Sequence, residues 1–153
     1  MRKGNSVGYE FEKTLKGIFK NIQAKHPFFW HQFADSKAAR GFINSQPSDF
    51  LITSPVLGTM LIEAKASEET SSLANCAKKV MRPSQVGQIK KWQRAGSKSL
   101  VIFYCQIDNK VEIWGGDYVV ECISNSIKLE KQNAVEVDYF HLESYLTELF
   151  TKV

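Results

Sequence analysis

The sequence predicts one mixed α/β domain built around a central sheet. Its 153 residues are the usual length of a single domain, enough to bury roughly 70% of the unfolded surface without disulfide or metal staples. Hydrophobic residues make up 43% and charged residues 24%, which excludes disordered and fibrous classes. Helical and strand periodicities follow one another in the order helix, strands, helix, strand, strand, helix. No linker, repeat or low-complexity stretch interrupts residues 1–153.

The first helix is predicted over Ser6–Ala24, where Phe11, Leu15, Ile18, Phe19 and Ile22 recur on one stripe. His26-Pro27 stops it, because proline disfavours helical backbone in the residue before it. Phe28–Phe33 is aromatic and reads as a strand, and Asp35–Ser45 is small, polar and basic and reads as a loop. Two short strands follow, Asp49–Thr53 and Thr59–Lys65, joined by Ser54-Pro55-Val56-Leu57-Gly58, which has turn composition. Glu68–Asn75 is polar and is expected to be mobile. Ser84 is the expected N-cap of a helix ending at Ala95-Gly96. Ser99–Cys105 is a continuous apolar run, the pattern of a strand buried on both faces. Lys110–Trp114 is a further strand after an Asp108-Asn109 turn. His141–Phe150 closes the chain as a short amphipathic helix.

Composition limits the function classes. The longest apolar runs, such as Leu100–Cys105, fall far short of the ~20 residues that span a bilayer. Met1-Arg2-Lys3 is basic but no apolar stretch follows it, so no signal peptide and no membrane partner are expected. Cys76, Cys105 and Cys122 are odd in number and widely spaced. They predict reduced thiols in a cytoplasm-like compartment and no structural zinc. The net charge is +4 but uneven: +5 over residues 1–40, +4 over 41–100 and −5 over 101–153. A basic front of this kind suits a polyanion partner.

The chemistry concentrates between Gln46 and Lys65. Side chains alternate along a strand, so Leu61, Glu63 and Lys65 share a side, with Glu63 and Lys65 roughly 7 Å apart. The lead-in Met60-Leu61-Ile62 should be buried. Asp49 opens the preceding strand, and a hairpin brings its carboxylate beside Glu63. Two carboxylates at one point suit a hard cation such as magnesium. Such a metal polarises a phosphodiester and activates water, while a neighbouring lysine stabilises charge or positions the nucleophile. A Glu-x-Lys tripeptide alone also fits a surface hairpin with a Glu–Lys pair. Pro47, Asp49, the apolar lead-in and the small Ala64 coincide here and favour the catalytic reading.

Pro47-Ser48-Asp49 with Glu63-Ala64-Lys65 resembles the motif of the PD-(D/E)xK nuclease superfamily, with Ser48 inserted between proline and aspartate. Gly8-Tyr9-Glu10-Phe11-Glu12 is similar to the G-x-x-F-E opening of its Holliday junction resolvases, the RecU/Hjc-like group. Gln85 matches the helical glutamine of RecU-type resolvases. The resemblance spans roughly residues 4–115. It implies a restriction-endonuclease-like domain and a Mg2+-dependent endodeoxyribonuclease, with Mn2+ able to substitute. It also implies a homodimer making paired nicks in four-way junctions. The compartment it implies is the cytoplasm of a bacterium, or of the host of a phage that encodes the chain. The implied metal ligands are Asp49, Glu63, the Ala64 backbone carbonyl and Glu12. Lys65 supports the attacking water and Gln85 positions it. Another nuclease on the same core (restriction, repair or single-strand-specific) stays open, as does a DNA-binding module with an inactive core.

The residues bear on two of these assignments. Glu12 continues the series Leu15, Phe19, Ile22 and so lies at the edge of the core stripe, whereas Glu10 aligns with Thr14, Gly17 and Asn21. A core-facing carboxylate must be paired, protonated or metal-bound. Gln85, Gln88 and Trp92 share one helical face, so phase alone leaves Gln88 a rival; the resemblance implies Gln85, whose spacing to Gly96 fits the pattern of the related nucleases. Lys37, Arg40, Lys78, Lys79, Arg82, Lys90 and Lys91 are the candidate phosphate contacts around the site. His26, His31 and His141 are scattered and read as structural or surface groups.

Overall fold

The computed structural model describes residues 6–33 and 48–152. Helix α1 (Val7–Lys25) starts where the Ser6 hydroxyl accepts the Tyr9 N–H at 3.2 Å. It ends where His26, ahead of Pro27, turns to extended backbone. Strands β1 (Phe29–Gln32), β2 (Phe50–Ser54) and β3 (Gly58–Ser67) form an antiparallel meander. A crossover carrying α2 (Ala77–Val80) and α3 (Pro83–Arg94) returns the chain to β4 (Lys98–Cys105), which runs parallel to β3. Strand β5 (Lys110–Gly115), helix α4 (Gly116–Ser124), strand β6 (Val135–Asp138) and helix α5 (Leu142–Thr151) complete the chain. The six strands lie in sequence order in one mixed sheet, and β3–β4 is its parallel pair.

The sheet is covered on both faces, as an α/β layering requires. On one face Phe11, Leu15, Phe19 and Ile22 of α1 and Leu146 and Phe150 of α5 pack on Phe50, Ile52, Ile62 and Ile102. Phe19 meets the rings of Phe28, Trp30, Phe50 and Phe150. A fully buried ring of this kind contributes about 1.5–3 kcal/mol. On the other face, α2, α3 and α4 pack Ala77, Val86, Ile89, Val119 and Val120 on Val101, Phe103 and Trp114.

Three expectations are corrected, and a fourth falls on residues that are not described. Helix α3 begins at Pro83, with Arg82 rather than Ser84 as its N-cap; proline suits a first helical position because its missing N–H would have no partner there. Glu68–Asn75 is not a loose polar loop. Ser67, Thr70 and Ser72 hydroxyls bond nearby backbone, and Leu73 is fully buried with its N–H on Glu112. Helix α4 and strand β6 fill a stretch where no element was expected. The predicted loop Asp35–Ser45, with Lys37 and Arg40, and the motif residue Pro47 lie outside the described residues.

Candidate active site

The β2–β3 hairpin sets the geometry. Phe50 pairs with Ile62 and Leu51 with Leu61, so one further step of the register brings Asp49 opposite Glu63. Both face α3, because Phe50 and Ile62 belong to the core under α1. Ladder pairing with β2 stops at Ile62, which leaves the Ala64 N–H for the Asp49 carboxylate: Oδ2 accepts it at 2.8 Å. A strand residue directs its N–H and C=O to the same side, so the Ala64 carbonyl faces Asp49 too.

Glu63 is 1% exposed, yet its carboxylate is surrounded by donors. Ser48 Oγ donates to Oε1 at 2.8 Å. Gln85 Nε2 donates to Oε2 at 2.9 Å, and Lys65 Nζ lies 3.3 Å from the same oxygen. Burial, and then the charge of Asp49, pushes the Glu63 carboxyl up to about 8, against the pull of Lys65 and Ser48. Burial likewise raises Asp49, against the Ala64 N–H, Lys65 and Arg82. Two adjacent carboxylates raised together want either a shared proton or a cation between them.

Of the two helical glutamines, Gln85 is the one on Glu63. Both ends of its amide are committed, because Oε1 accepts the Arg82 N–H at 3.0 Å while Nε2 holds Glu63. It therefore ties the start of α3 to the carboxylate, whereas the sequence reading had it orienting water. Trp92, on the same stripe, bonds the Lys98 carbonyl at 2.7 Å. Ser48 is the contributor that sequence reasoning missed, since it looked like an insertion into the motif.

Other expected members are placed elsewhere. Glu12 is half-buried and Glu10 exposed, as the helical phase predicted. But Glu12 belongs to α1, on the opposite face of the sheet, where its Oε1 accepts Gln32 Nε2 at 3.4 Å. Among the described residues no three Asp, Glu, His or Cys side chains group as a metal site. Lys78 donates to Ser126 at 3.5 Å and Lys90 to Ser124 at 3.1 Å, both at the end of α4. Lys78 and Lys79 line a surface cavity of about 360 Å³ together with Lys128. At 100° per residue, Lys90 and Lys91 point about 140° and 120° away from Gln85. Arg82 is the predicted basic residue whose charge reaches Asp49.

The donor set fits a magnesium-like ion. It offers two carboxylates and a backbone carbonyl, all hard oxygen ligands. Mg2+ is commonly held by one or two carboxylates, with water and substrate phosphate completing its shell.

No family model matches the chain, and no curated protein matches it. A solved structure, that of Archaeoglobus fulgidus Hjc, a Holliday junction resolvase from an archaeal hyperthermophile, is similar over 84% of this chain and 85% of its own. The two are 16% identical, with a TM-score of 0.47. A likeness this distant does not speak to activity, which is read from the site. Among the described residues no helix is long and apolar enough to cross a membrane.

Proposed function

We propose that the chain is a Mg2+-dependent DNA endonuclease of the PD-(D/E)xK kind, acting as a homodimer on four-way junctions. The observation that carries the nuclease reading is the convergence of Asp49, Glu63 and Lys65 at the open end of one hairpin. Asp49, Glu63 and the Ala64 carbonyl would hold the ion. When bound, the ion polarises the scissile phosphodiester and activates water. Lys65, 19% exposed at its side chain, reaches both Glu63 and solvent, so its ammonium holds the water or the developing phosphate charge. Gln85 fixes Glu63 from α3. Arg82, exposed at the mouth of the site, neutralises an approaching phosphate.

The junction reading rests on the G-x-x-F-E resemblance. Junction and duplex carry similar phosphate density, so a preference between them must come from shape, read by a basic surface that spans two subunits. The test incubates purified protein with labelled four-way junction, linear duplex and single strand, in Mg2+ and in EDTA. Sedimentation gives the assembly state. Paired nicks in the junction by a dimer, absent in EDTA, are expected. Equal cutting of duplex by a monomer would remove the resolvase reading and keep the nuclease. Absence of any metal-dependent cleavage would remove both.

A further inference from the structure

Ser48 is 7% exposed and sits one residue before the metal-site aspartate. In a regular strand, neighbouring side chains point to opposite faces, so Ser48 and Asp49 could not serve one site. The backbone bends at Asp49, and both side chains reach the Glu63 region. A carboxylate has about four lone-pair positions. On Glu63, Gln85 and Lys65 fill Oε2, and Ser48 takes one position on Oε1. The position left for a cation is thus on Oε1, whose protein donor is Ser48. The terminal torsion of a glutamate is broad, and both oxygens turn together about it, so the Ser48 donor on Oε1 helps set the orientation that Gln85 and Lys65 set from Oε2. We propose that Ser48 is a positioning residue: its hydroxyl fixes the Glu63 oxygen that binds the metal, so the residue interrupting the Pro–Asp motif is part of the site. The inference rests on the nuclease reading above.

The test is calorimetric titration of Mn2+ into the wild-type protein, Ser48→Ala, Ser48→Thr and Glu63→Gln. Second-shell donors typically change metal affinity by 10–100-fold. Ser48→Ala is expected to bind Mn2+ about 10-fold more weakly, and Ser48→Thr, which keeps the hydroxyl, within roughly 3-fold of wild type. Melting in EDTA shows that both variants are folded when affinity is read. The cleavage deficit of Ser48→Ala should vanish at saturating Mn2+, whereas that of Glu63→Gln should persist. Unchanged Mn2+ affinity in Ser48→Ala, with binding lost in Glu63→Gln, overturns the role of Ser48 and leaves the site standing. Equal weakening in the alanine and threonine variants also overturns it, because packing rather than the hydroxyl would then matter. A wild-type protein that binds no Mn2+ overturns the nuclease reading and this inference with it.

Discussion

Two buried glutamates lie on the same face of the sheet with β4 between them, and their surroundings differ. Val101 pairs with Glu63 and Phe103 with Glu112, so one face carries both. Glu112 is fully buried in the middle of β5. Its Oε1 accepts the Leu73 N–H and the Trp114 indole N–H, each at 2.9 Å, and its Oε2 has no hydrogen-bond partner among the described residues. Glu63 lies where β2 has ended. It gathers a hydroxyl, an amide and an ammonium, with a second carboxylate beside it. Placing Asp49 against Glu63 costs stability that a cation would return. Glu112 instead pins the segment after β3 to the sheet through one carboxylate oxygen. Burial alone therefore does not mark a functional carboxylate here; the company it keeps does.

The largest expected difference between the two regions is in cleavage. A metal ion supplies several kcal/mol of transition-state stabilisation, so Asp49→Asn and Glu63→Gln should each lower the rate by roughly 10³-fold or more. Glu112→Gln should leave it within about 3-fold, since the amide oxygen still accepts both N–H groups. Rates measured on the preferred DNA decide, and a loss in Glu112→Gln as deep as in Glu63→Gln would erase the distinction.

A second effect is on stability without metal. Folded Glu63 holds its proton up to about 8, against 4.5 for an ordinary glutamate. Between those values the folded state binds more protons than the unfolded one. Its contribution to stability is thus complete below 4.5 and lost as pH rises through 8. Melting in EDTA should show wild type weakening over that window by on the order of a few kcal/mol, and Glu63→Gln should flatten the decline. Parallel curves for the two proteins would contradict the placement of Glu63.

The smallest effect belongs to the structural region. Glu112→Ala strands two buried N–H groups, at about 1–3 kcal/mol each. A drop in Tm of roughly 5–20 °C is expected, with the cleavage rate per folded molecule little changed. A variant that melts like wild type would show that Glu112 does not pin the segment.

What the sequence disclosed follows how local each signal was. The first helix, the hairpin and the Glu63–Lys65 pair are set by periodicities within a few residues, and the structure has them where those periodicities put them. Gln85 was legible through the resemblance, because the 3.6-residue spacing puts it on the same face as its rival Gln88. Ser48 was hidden because strand alternation assigns it to the wrong face, and only the bend at Asp49 reverses that. Glu12 was read in the correct phase of its helix, half-buried beside exposed Glu10. Which face of the sheet the helix covers is a long-range outcome that phase does not encode. Lys78 and Lys90 were near the site in sequence, yet they turn toward α4, a helix hidden behind Gly115-Gly116. Strand β6, four residues of Val-Glu-Val-Asp with three exposed, gave too little alternation to stand out.

The hairpin turn carries one more consequence. Ser54 pairs with Gly58 across three turn residues, the Ser54 hydroxyl accepts the Leu57 N–H at 3.0 Å, and Gly58 takes a positive φ of 73°. Exposed loops usually gain and lose residues freely. Here a one-residue insertion or deletion that shifted the ladder would turn every β2 side chain to the other face, sending Asp49 under α1 and away from Glu63. Between Ser54 and Gly58 the three turn residues are free to change in kind, but their number counts residues for the site more than ten ångströms away, at about 3.4 Å per strand residue.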